Sequence, residues 1–136
     1  ITVDHKGAAR SAGGLCVHPL DLALLGSAIG QAAAGEDHPV IPRKWINDTL
    51  SNGNLDAWRS GDFANFLPNG NYRNQWYLND TGSPTILAIG IHGQWLYIEP
   101  KSQTVIVKFS SEAQPVDEAA DIELIEFFDR VCRVLT

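Results

Sequence analysis

Between Thr85 and Phe109 the apolar residues of this chain stop recurring at helical spacing and fill short extended runs instead. Thr85–Ile91 is one such run, interrupted by Gly90. Trp95–Glu99 and Thr104–Phe109 follow, joined by Pro100-Lys101-Ser102-Gln103. β-Branched and aromatic runs bounded by turn residues read as antiparallel strands, and a link this short makes the last two a hairpin. A sheet has to bury a face, so the flanking segments must supply apolar sides. His18-Pro19-Leu20-Asp21 predicts a helix start, with proline in the first turn and an acid at the positive end of the dipole. Leu22, Leu25 and Ile29 recur at helical spacing behind it, widened by Leu24 and Ala28, and the helix is expected to reach about Ala34 and stop at Gly35. A second helix is predicted after Ile41, with Pro42 in its first turn, Trp45, Ile46 and Leu50 on its apolar side, and Asn52-Gly53 as a left-handed end.

Asn54–Gly70 carries turn signals and reads as irregular, although Trp58, Phe63 and Phe66 must pack on something. Tyr72–Leu78 reads as a single strand with mixed faces, followed by the loop Asn79-Asp80-Thr81-Gly82-Ser83-Pro84. Ile122, Ile125, Phe128, Val131 and Leu135 fall at helical spacing opposite a run of acids and predict a last helix lying on the sheet. The order α, α, irregular, four strands, α gives an α+β class: an antiparallel sheet with packed helices, in one domain over residues 1–136.

Composition excludes several roles. The formal net charge is −6, and Glu112, Asp117, Glu118, Asp121, Glu123, Glu126 and Asp129 crowd the last quarter, a field that repels phosphate backbones. Without a basic stripe, nucleic acid is not an expected partner. No apolar run approaches the roughly 20 residues that cross a bilayer, so no membrane partner is expected. The first residues lack the cationic and apolar blocks of a secretory signal. His5, His18, His38 and His92 have no ligand-like spacing, so neither metal nor cofactor is expected. Cys16 and Cys132 could form one disulfide, but both sit in apolar settings and are expected as buried free thiols, which leans towards a reducing, cytoplasmic compartment and leaves a periplasmic one open. The chain has no methionine and opens in a polar stretch, which leaves open both a trimmed start and a fragment of a longer protein.

Chemistry is expected at Ala88-Ile89-Gly90-Ile91-His92-Gly93-Gln94. A glycine inside a strand costs stability, because it has more freedom to lose and no side chain to pack. Two so close together need a reason. One is the approach of a ligand to the strand edge, where a free N–H can hold an oxyanion. The other is a corner or bulge with no ligand at all.

The run Gly90-Ile91-His92-Gly93-Gln94, the following Leu96-Tyr97-Ile98-Glu99-Pro100, the Val105-Ile106-Val107-Lys108-Phe109-Ser110-Ser111 strand and the earlier Ala12-Gly13-Gly14-Leu15-Cys16 ahead of Asp21-Leu22-Ala23 resemble the C-terminal portion of β-lactamase-related serine hydrolases. Within them the likeness is to 6-aminohexanoate-dimer hydrolases and related carboxylesterases. The resemblance implies the C-terminal part of a transpeptidase-like fold and acyl-serine catalysis on a small-molecule amide or ester. It places the third motif of such enzymes on Ala88-Ile89-Gly90, which makes the backbone N–H of Ile91 the oxyanion donor. Ala88 stands where many members carry a cation, which argues for an amidase or esterase over a β-lactamase or D-alanyl-D-alanine peptidase.

The other two motifs are missing. For the Ser-x-x-Lys pair, no serine of the chain has a lysine three residues on. For the loop Tyr-x-Asn, Tyr72-Arg73-Asn74 matches the letters but precedes the sheet and is set aside. A self-contained Ser-His-Asp hydrolase is excluded too, since no Gly-x-Ser-x-Gly elbow is present. The resemblance therefore implies that the nucleophile lies upstream of residue 1, with that N-terminal segment of the same protein as this chain's partner and this chain inactive alone. Substrate contacts are expected from Trp76, Tyr77, Ile89, His92 and Asp117, the last of these at an ammonium end of the substrate. Each has a plainer alternative: core packing for Trp76, the bend for His92 and Gln94, a helix-start acid for Asp117. The rival from another class is a non-catalytic α+β binding module.

Overall fold

The computed structural model describes residues 3–9, 14–80 and 82–136. Ser11, Ala12, Gly13 and Thr81, which entered the motif and loop readings above, lie outside them. The described elements are α1 (Pro19–Ala33), α2 (Arg43–Ser51), α3 (Leu55–Arg59), a 3₁₀ turn (Asp62–Ala64), β1 (Asn71–Arg73), β2 (Trp76–Asp80), β3 (Pro84–Gly90), β4 (Gln94–Glu99), β5 (Thr104–Lys108) and α4 (Glu118–Leu135). The architecture is α+β, with one five-stranded antiparallel sheet in the order β1-β2-β3-β4-β5.

The alternation of side chains along each strand sorts the core into two layers. Tyr77, Leu87 and Tyr97 stand opposite one another across β2, β3 and β4, and pack with Trp58, Phe66, Leu67, Trp95, Ile125 and Phe128. Leu78, Ile86 and Ile98 form the neighbouring row, which faces the other way towards Ile29, Ala32 and Ile46. α1 and α2 therefore cover one face, and α3, the 3₁₀ turn and α4 the other.

Six expectations change. The buried side of α1 is Gly26, Ile29, Gly30 and Ala32, while Leu24 and Leu25 are exposed. A Cβ on Gly26 would lie 2.6 Å from Val105 Cγ1 and 3.0 Å from Leu96 Cδ1, so the small residues, not the leucines, let the helix meet the sheet. Gly53 does not form a left-handed end. It is small because the Asn71 side chain occupies the space its Cβ would take. Asn54–Gly70 is partly helical: the Asn54 carboxamide accepts from the Ala57 N–H at 2.9 Å and starts α3. The single strand read over Tyr72–Leu78 is two strands, because Asn74 (φ 52°) and Gln75 (φ 69°) adopt the left-handed conformation of a tight hairpin turn. Cys16 is exposed and only Cys132 is buried, so the compartment argument from two buried thiols loses half its basis. In α4 the buried stripe is Ile125, Phe128 and Cys132, with Ile122 and Leu135 exposed.

Candidate functional site

β4 accompanies β3 to its end at Gly90↔Gln94, but β2 stops pairing with β3 at Tyr77↔Leu87, where the chain turns back through Asn74-Gln75 into β1. Beyond Leu87, no described strand is paired to that edge of β3. A cleft of about 400 Å³ opens there. Its inner wall is Ile89, Gly90 and Ile91 together with the aromatic side chains of Tyr77, Phe63 and Phe66. Phe63 stacks on Tyr77 with ring centroids 5.0 Å apart, and Trp58 supports both from behind with its indole N–H donated to the Leu67 carbonyl at 3.0 Å. The outer wall is the segment entering α4: Glu112, Pro115, Val116, Asp117, Glu118 and Asp121.

Of the residues expected from the sequence, Tyr77, Ile89, Gly90, Ile91 and Asp117 line this one cleft. Trp76 does not. Strand alternation turns it to the opposite face, where it packs in the α1–α2 layer. His92 is also turned away: its Nδ1 lies 2.8 Å from the Glu112 carbonyl, and its N–H donates to the Pro115 carbonyl at 2.9 Å. Ala88 faces the α1–α2 layer, so a cation at that position would not point into this cleft. Ile91 follows the last residue of β3 instead of belonging to the strand, and its side chain is exposed. Asp117 both lines the cleft and caps α4, accepting from the Ala120 N–H at 3.2 Å. Phe63 and Phe66, expected only to pack, and Glu112 and Asp121, expected only in the acidic run, also line the cleft. Only the aromatic residues in an otherwise polar, irregular segment gave a hint of them.

The cleft is apolar inside and acidic at its mouth. Burial, reinforced by the nearby charges of Glu112 and Asp117, pushes the Asp121 carboxyl above the usual range. The hydrogen bond from Lys108 holds Glu112 below it. Burial, with Tyr72 alongside, raises the Tyr77 phenol above its ordinary value, so it stays protonated at neutral pH and is a wall and a hydroxyl, not a base. The Ser110 hydroxyl donates to Glu112 at 3.2 Å and does not line the cleft. Among the described residues no three His, Cys, Asp or Glu side chains gather as a metal site would require, and no helix is long and apolar enough to cross a membrane. Chemically, the arrangement offers a slot for an apolar chain, a strand edge with backbone N–H groups beside it, and a mouth that repels anions.

No family model matches the chain. Over 115 residues, 85% of its length, it is 32% identical to 6-aminohexanoate-dimer hydrolase of Paenarthrobacter ureafaciens. Those residues make up 29% of that protein, so the chain spans under a third of the curated relative it matches. The likeness relates the chain, in part, to a hydrolase.

Proposed function

We propose that this chain is part of an acyl-serine hydrolase that cleaves linear amide or ester bonds, and that it contributes the oxyanion-binding wall of the active site without the nucleophile. The observation that carries this reading is the edge of β3 beyond Leu87, which β2 leaves without a partner and which runs to Gly90 and the following Ile91, opening onto an aromatic cleft. The part-length likeness to a 6-aminohexanoate-dimer hydrolase agrees with it.

In this reading a substrate lies with its apolar chain against Tyr77, Phe63 and Ile89, and its carbonyl oxygen at the Ile91 N–H. Attack by a serine held on a segment outside this chain converts that carbonyl to a tetrahedral oxyanion. A fixed backbone donor meets the new charge without having to reorganise, and one such donor is typically worth on the order of 10²–10³ in rate. Gly90 itself is small because a Cβ there would stand 3.0 Å from Gln94 Cβ across the ladder. Asp117, at the mouth, suits an ammonium end of the substrate.

The test is a fluorophosphonate probe that acylates activated serines. The chain by itself is expected to remain unlabelled, because no serine has a lysine three residues on to activate it. Label on any of its own serines would refute the division of labour. A non-catalytic binding module would share the cleft but would show no probe-reactive serine in the longer protein either.

A further inference from the structure

The two walls of the cleft are tied to each other behind the site. The turn that carries Ile91 out of β3 needs left-handed backbone at both His92 (φ 61°) and Gly93 (φ 76°). The first of these is unfavourable for a side-chain-bearing residue and persists only where the surroundings over-determine it. They do so here through Lys108 and Glu112. The Lys108 ammonium donates to the Gly93 carbonyl at 3.0 Å and to Glu112 Oε1 at 2.5 Å. Glu112 in turn presents its main chain to the turn, with its N–H donating to the His92 carbonyl at 3.3 Å and its carbonyl 2.8 Å from His92 Nδ1. Gln94 adds a second tie: its Nε2 donates to the carbonyls of both His92 and Ser110, and its Oε1 accepts from the Ser110 N–H. A Cβ on Gly93 would strike the Glu112 carboxylate, which explains the second glycine independently of any ligand.

We infer that Lys108 and Glu112 are positioning residues: their ion pair, braced on the Gly93 carbonyl, fixes the direction of the Gly90–Ile91 peptide and the spacing between the β3 edge and the α4-entry wall. Neither side chain is required to touch substrate for this. Lys108 does not line the cleft, and Glu112 meets it from the outer wall. The relevance to oxyanion binding rests on the function proposed above, whereas the clamp itself does not, and it can be tested on the chain without substrate.

The experiment is amide hydrogen exchange read residue by residue on the chain carrying Lys108→Met, Lys108→Arg or Glu112→Gln. In Lys108→Met the His92 and Glu112 amides are expected to exchange about tenfold faster, a local opening, while β4 core amides such as Ile98 stay within about twofold of the parent. Lys108→Arg, which keeps the charge and the donors, is expected to restore protection. Glu112→Gln keeps one acceptor oxygen but loses the charge, and is expected to fall between, so it serves even if Lys108→Met fails to fold. Unchanged turn amides in the folded variants, or a rise shared equally by the turn and the core, would overturn the clamp. A chain that shows the local opening but never binds a linear amide would leave the clamp standing and sink the proposed function instead.

Discussion

The two faces of the sheet are packed by opposite means. On the α1–α2 face, Gly26 and Gly30 remove side chains from the helix so that it settles directly onto Leu96, Ile98 and Val105. On the α3–α4 face, rings do the filling: Phe66 against Trp95 at 6.1 Å, Trp95 against Phe128 at 6.2 Å, and Tyr97 against Phe128 at 5.2 Å. Tyr97 also donates to Asp129 at 2.6 Å, and burial raises its phenol far above the ordinary value, which keeps it fixed as a donor. Close contact leaves the first face a cavity of only about 110 Å³ beside Gly30, Ile98 and Val105, against about 400 Å³ at the cleft. Aromatic side chains hold the elements of the second face apart, and where β2 turns away the gap becomes the cleft.

Trp58→Ala strikes the aromatic face at its support and should have the largest effect, about 4 kcal/mol of stability lost together with the cleft floor. Urea unfolding with a ligand-binding check reads both, and a loss below about 1 kcal/mol would show that the rings are not what holds that face. Gly26→Val tests the other face and is expected to cost about 3 kcal/mol by overpacking against Val105 and Leu96. A neutral result would mean that α1 can lift away without penalty. Phe63→Ala, at a partly exposed ring on the cleft rim, should cost only about 1 kcal/mol while widening the slot and weakening binding of an apolar chain. The smallest effect is expected at Asp48. Its hydrogen bonds and charge contact with Arg73, at 2.8 Å, hold the folded carboxyl well below the usual carboxylate range. The folded state then binds fewer protons than the unfolded one, so this contribution is present above about pH 4 and is lost as pH falls below it. Asp48→Asn should therefore flatten the acid limb of the stability curve without altering the cleft. Thermal unfolding from pH 2 to pH 7 would detect a limb that stayed unchanged.

The two faces were unequally legible in the sequence. β3, β4 and β5 could be read because their apolar runs are bounded by proline, glycine and polar turns. β1 and β2 merged into one reading because Asn74-Gln75 contains no glycine to announce a left-handed turn. The buried side of α1 is hidden in the sequence for a related reason: Leu24 and Leu25 outweigh Gly26 and Gly30 in hydrophobicity, yet it is the absent side chains that allow contact. At the site, Gly90 and Gly93 were visible because glycine in an extended run demands an explanation. Phe63, Phe66 and Glu112 were not, since their place beside Ile91 depends on tertiary packing between segments far apart in sequence. Trp76 and Tyr77 are adjacent in sequence and equally aromatic, yet lie on opposite faces.

The most direct test is a residue-resolved ¹H–¹⁵N titration of the chain with a linear aliphatic amide that carries an ammonium end. Saturable shifts are expected at Tyr77, Ile89, Gly90 and Ile91, with the Ile91 amide moving most and Ile29 and Ile46 of the α1–α2 face staying still. Shifts confined to the α1–α2 face, or an Ile91 amide that does not move while its neighbours do, would contradict the assignment of that peptide as the donor.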